Sequence, residues 1–159
     1  MINWIRVVRS ACISGSCASI VSTAALAVAA RTEGKAAVRP INATSHWREG
    51  KAAGSYEGFD AAHTAVGYLT NHLASIFWAT FFEAWRARRP PVGPLPMLRD
   101  AMIMSAVAAA VDYGATPKRF TPGWELVLSK KGMAIGYAGL AFGLGAGALW
   151  TQSGRRPRN

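Results

Sequence analysis

The chain has 159 residues, 51% of them hydrophobic and only 16% charged, and its 18 Lys and Arg against 8 Asp and Glu give a net charge of +10. A soluble globular chain carries about 25% charged residues, whereas these gather in short stretches and leave long segments nearly free of charge. That segregation argues against a watery domain and for a bilayer, where an ionised side chain at the centre costs about 2.5–3.5 kcal/mol on insertion scales. The cations flank the apolar segments and form no single basic stripe, so they read as anchors to anionic lipid headgroups, with no nucleic-acid partner expected.

The first apolar segment covers about 7–30, between Arg6 and Arg31. It is long enough to cross ~30 Å of hydrocarbon. Small residues recur at Ala11, Gly15, Ala18, Ser22, Ala25 and Ala29, which predicts one face open to close approach by another helix. The rival reading is a cleaved signal peptide ending near Ala27-Val28-Ala29; the length and the small-residue stripe favour a retained span. Cys12 and Cys17, five residues apart on a helix, form neither a pair nor a metal clip.

A polar connection follows over 31–60, with Pro40 and four glycines to break any long helix. Asn42-Ala43-Thr44 matches a glycosylation acceptor, although a turn or helix cap ahead of His46-Trp47 is the better reading, with Trp47 placed at the membrane interface.

The second span, about 61–85, carries the polar chemistry. Thr64, Tyr68, Asn71, His72, Ser75 and Glu83 share one broad helical face, a seam that should avoid lipid and point into the bundle or a wet cavity. His72 and Glu83 are eleven residues apart, hence nearly in phase but ~16 Å apart along the axis. Asp112 is the natural third member. The functional reading of Tyr68, Asn71, His72, Ser75, Glu83 and Asp112 is a proton or solute path or a ligand site; the plainer one is hydrogen bonding between helices, with Glu83 and Asp112 paired to Arg86 or Arg119. His63 and His72 point to opposite faces, which excludes haem ligation, and the histidines have no metal-site spacing. No catalytic or cofactor signature is present, so a non-enzymatic protein without cofactor or metal is expected.

An Arg/Pro-rich connection at 86–96 stops that helix. The third span, about 97–115, is the weakest, its cleanly apolar part running only from Ala101 to Val111. Trp124 to Leu128 reads as a short interfacial helix before the fourth span. That span, about 132–152, carries no charge, and Gly132, Gly136, Gly139, Gly143 and Gly147 line one face as a groove for helix packing. A basic tail at 153–159 reads as disordered.

These elements predict an all-α fold: an antiparallel bundle of four transmembrane helices, with the first and fourth joined through their small-residue faces. Each side of such a topology receives nine of the 18 Lys and Arg, so orientation rests on the short, arginine-dense second loop, which favours both termini inside. The Asn42-Ala43-Thr44 loop, followed by Asn71-His72-Leu73-Ala74-Ser75-Ile76-Phe77-Trp78-Ala79, resembles the small bacterial inner-membrane proteins of the YagU type. The resemblance covers 10–150 in architecture and those two stretches in sequence; the weak third span and glycine-rich fourth depart from it. It implies a four-helix, multi-pass inner-membrane protein linked to stress tolerance, and supplies no catalytic residues. The sequence therefore predicts an accessory membrane protein, acting with a protein partner, as a homo-oligomer or alone. The alternative is a minimal transporter or channel whose path the His72 seam lines.

Overall fold

Asn3 opens the first helix, its side-chain oxygen accepting from the Arg6 N–H at 3.1 Å. From there α1 (Trp4–Thr32) runs 29 residues, about 43 Å at 1.5 Å per residue. The computed structural model describes residues 2–89 and 93–153. Of the expected basic tail only Ser153 is described, as the last residue of a helix; its remainder and the centre of the Arg/Pro-rich connection lie outside the described residues.

The first connection folds as short pieces: α2 (Arg39–Ala43), α3 (His46–Glu49), a 3-10 turn (Lys51–Ser55) and a π-turn (Ala61–Ala65). Asn42 is fully buried and ties them together. Its amide donates to the carbonyls of Tyr56 (2.9 Å) and Gly58 (3.0 Å), and its side-chain oxygen accepts from Thr64 Oγ1 at 2.8 Å. Three long helices follow: α4 (Val66–Arg88), α5 (Pro94–Gly114) and α6 (Lys130–Ser153). Among the described residues the chain is all-helical, with no strand.

Among the described residues three helices, α1, α5 and α6, are long and apolar enough to cross a membrane. The segment expected to be weakest thus qualifies, because α5 starts at Pro94 and gains a turn ahead of the expected boundary. α4 is long enough at 23 residues, but Asn71, His72, Glu83 and Arg86 dilute its hydropathy. Apart from His72, those polar groups face inward: Asn71, Ser75, Glu83 and Arg86 are buried, while Leu69, Leu73, Phe77 and Phe81 are 50–58% exposed. The same inversion appears on α1, with Ser10, Ser14, Ser19 and Ser22 buried and Ile20 and Val28 outside, and on α5, with Asp100 and Ser105 buried and Met102 and Ile103 outside. A water-soluble domain has the opposite polarity.

The α1–α6 pair forms the most extensive interface. Cβ atoms added at Gly143 and Gly147 would fall 2.4 Å from Ala18 Cα and 2.6 Å from Ser14 Cα, so the two backbones touch where α6 has no side chain. Gly139 meets Ser22 and Ala25, Gly136 meets Leu26, and Gly132 meets Glu33. The small-residue stripe of α1 divides between two partners: Gly15 lies against Ile76 of α4, whereas Ala18, Ser22 and Ala25 face α6. Glu33, the C-cap of α1, holds the start of α6 by accepting from Ser129 Oγ (2.6 Å) and Ser129 N (3.1 Å). Ser129 Oγ in turn accepts from the Gly132 N–H at 3.2 Å, as an N-cap does.

Instead of an interfacial helix before α6, there is one 3-10 turn, Trp124–Leu126. Trp124, Val127 and Leu128 are buried in the core. Gly123, at φ +80°, directs the chain inward, where any Cβ would strike the Ala43 carbonyl oxygen at 2.3 Å.

Around the bundle, α1 touches α6 and α4, and α6 touches α5, but α4 and α5 meet only slightly. The bundle is open on that side.

Candidate functional site

The opening between α4 and α5 is a half-enclosed cleft of about 490 Å³, within the range typical of small-molecule sites. One wall comes from α4 (Asn71, Ala74, Ser75, Trp78), and Tyr137 and Leu140 of α6 form the floor. Asp112, near the end of α5, supplies its only ionisable carboxylate, and the Trp47, Phe120 and Trp124 segments close the loop end. The outer rim is apolar, with Leu73, Phe77 and Phe120 all more than half exposed.

Tyr137 organises the floor. Its hydroxyl donates to Asp112 Oδ2 at 2.7 Å, and its carbonyl accepts from Ser105 Oγ of α5 at 2.6 Å. Its ring packs against Trp124 (centroids 5.1 Å apart) and edge-on to Tyr113 (6.2 Å). The Trp78 indole N–H comes within polar reach of the same carboxylate from the α4 side. Asp112 thus lies between helices that otherwise scarcely touch. At the rim Glu125 accepts from Tyr113 Oη at 3.1 Å and from Thr121 Oγ1.

The six polar residues expected to form one seam separate into distinct settings. Asn71 donates to Ser19 Oγ and Thr23 Oγ1 of α1, both at 3.3 Å, and Ser75 donates back to the Asn71 carbonyl at 2.8 Å. Both also reach the cleft wall. Glu83 accepts from Arg86 at 2.7 Å in a buried pair one helical turn long, with the guanidinium 5.5 Å from the Phe82 ring centre. His72 and Tyr68 stack on each other (5.9 Å) on another flank of α4, and neither lines the cleft. The His72 Nδ1 is enclosed without a hydrogen-bond partner. Asp112 alone joins the cleft to α5.

Sequence reasoning passed over Tyr137 and Trp78, which look like ordinary membrane-helix aromatics until Asp112 is placed beside them. One signal was available. Glu33, Glu49, Glu83 and Asp100 each have a Lys or Arg within three positions, whereas Asp112 has none within four; Glu57, Asp60 and Glu125 share that trait, so spacing narrows the choice to four acids.

Among the described residues no group of three or more His, Cys, Asp or Glu could hold a metal ion. Comparison with family models, curated proteins and solved structures finds no match for this chain.

Proposed function

We propose that this chain is a non-enzymatic, four-span integral membrane protein that holds a membrane-dissolved small molecule in the α4–α5 cleft. The observation that carries the proposal is the cleft itself, whose rim of Leu73, Phe77 and Phe120 lies on the apolar outer surface. A ligand would enter sideways from lipid. The inverted polarity of α4 supports counting it as the fourth span, since lipid makes exposed leucine and phenylalanine favourable around a buried Asn71 and a Glu83–Arg86 pair. Retention of the first segment belongs to the same reading, because α1 touches both α4 and α6, which scarcely touch each other. The inner-membrane location, the accessory role and the resemblance to YagU-type proteins enter here as part of the proposal.

Binding is favoured over conduction because the polar residues form separate clusters instead of one file from end to end. Native mass spectrometry from mild detergent tests the reading: the wild-type protein should carry a bound small molecule, and Ala74→Trp, which fills the cleft, should lose it. Identical spectra for the two proteins, or a proteoliposome flux that His72→Ala abolishes, would overturn it.

A further inference from the structure

Six of the eight acidic residues have a basic partner within 3.5 Å: Glu33 with Lys35, Glu57 with Arg39, Glu49 with Arg48, Asp60 with the His63 ring, Glu83 with Arg86, and Asp100 with Arg99. Among the described residues, the two acids without such a partner are Asp112, in the cleft, and Glu125, which accepts from Thr121 of its lining. In a chain of net charge +10, the described residues place no counter-cation within ion-pair distance of either carboxylate. Among the described residues, none that lines the cleft is Lys, Arg or His.

The rest of the lining suits a cation that must also be apolar. Six aromatic rings contribute: Trp47, Phe77, Trp78, Phe120, Trp124 and Tyr137. Aromatic faces attract ammonium-type charge, more strongly where water is excluded. The nearest arginine in sequence, Arg119, is engaged with the Trp47 carbonyl at 3.1 Å. Both neighbours of the Asp112 carboxylate, the Tyr137 hydroxyl and the Trp78 indole, are donors. The Tyr137 bond takes one of the roughly four lone-pair positions a carboxylate offers, which leaves room for a cation.

We infer that the cleft selects a lipophilic organic cation, a quaternary or protonated amine with apolar substituents, through the Asp112 carboxylate and the surrounding aromatic rings. This rests on the proposed binding role. A neutral lipid would leave the carboxylate to be neutralised by a proton, gaining nothing from its charge, and an anionic one would be repelled by the ionised form. An inorganic cation would gain nothing from the apolar walls.

Tetraphenylphosphonium and tetraphenylborate, matched in size and opposite in charge, test the inference with full-length protein in nanodiscs by equilibrium dialysis, empty nanodiscs being subtracted. The phosphonium should bind saturably and at least about tenfold tighter than the borate, as expected for a charge-assisted contact. Asp112→Asn, which preserves shape and still accepts from Tyr137, should abolish the difference. Trp78→Leu should weaken phosphonium binding about three- to tenfold. Equal saturable binding of both ions would overturn the charge inference and leave the cleft reading standing. Saturable binding of neither would overturn both, as would phosphonium binding that Ala74→Trp leaves untouched.

Discussion

The Tyr137 hydroxyl donates to Asp112 across 2.7 Å, and this bond, with Ser105 reaching the Tyr137 backbone carbonyl at 2.6 Å, fastens α5 to α6 from both ends of one residue. Tyr137→Phe keeps the ring contacts with Trp124 and Tyr113 and removes only the donor. A carboxylate that loses a donor in a low-dielectric site costs about 1–3 kcal/mol. Thermal unfolding in detergent should show that loss, while Asp112→Asn, whose amide oxygen still accepts, should cost less. If Tyr137→Phe unfolds with the wild type, the bond contributes nothing and α5 is held by its apolar contacts.

A matched pair of glycines separates packing from composition on α6. Gly143→Ala would put a methyl 2.4 Å from Ala18 Cα and 2.6 Å from the Cys17 carbonyl oxygen, both backbone atoms that cannot swing away. Forcing α1 and α6 apart should cost about 1–3 kcal/mol. At Gly145 the nearest atoms to the new Cβ are 3.8 Å away, an ordinary contact, so Gly145→Ala should gain up to about 1 kcal/mol of helix propensity. Opposite signs in thermal unfolding are expected. Equal destabilisation would mean that glycine matters here for a reason other than close approach.

The contrast between those glycines shows where sequence reasoning stops. Long uncharged runs made the helices visible, and the four- and three-residue spacing of Gly132, Gly136, Gly139, Gly143 and Gly147 placed the packing face, because both signals are local. Which partner a face meets is not local. The stripe on α1 carries Gly15 to Ile76 of α4 and Ala18 to Gly143 of α6, a division that depends on how three helices are arranged. The polar residues of α4 share a broad arc, yet Asn71 reaches α1, Glu83 turns to Arg86, and His72 stacks on Tyr68. Spacing gives the arc and cannot divide it. The cleft arises because α4 and α5 splay apart, and no residue pattern encodes a gap.

His72 should therefore behave unlike a path-lining residue. Its Nδ1 is enclosed with no partner, an arrangement that costs free energy in the folded state. His72→Leu should leave phosphonium binding unchanged, and the unfolding temperature in detergent should stay level or rise. A stability loss above about 2 kcal/mol would point to a buried partner and restore His72 to the polar interior.

The loop end of the bundle should be acid-sensitive through Glu33. The Ser129 hydroxyl, the Lys35 ammonium and the Ser129 N–H hold its carboxyl at about 2, down from an ordinary 4.5. Lys35 also donates to the Val127 carbonyl, so the same group of residues fixes the chain entering α6. A carboxylate with a depressed pKa stabilises the fold above its unfolded value, and that contribution fades as pH falls from about 4.5 towards 2. Asp60, held at about 2 by the His63 N–H and ring against an ordinary 3.8, fades over the lower part of the same window. The unfolding temperature in detergent should drop across that range, and Glu33→Gln should flatten its upper part while lowering the neutral-pH value. Because Glu33 also sits at the N-terminus of α6, where negative charge is favoured, Glu33→Asp should recover less than full stability: its shorter side chain keeps the charge but cannot span to both Ser129 donors. A Glu33→Gln protein that loses stability between pH 4.5 and 3 as steeply as the wild type would assign the acid sensitivity to another group.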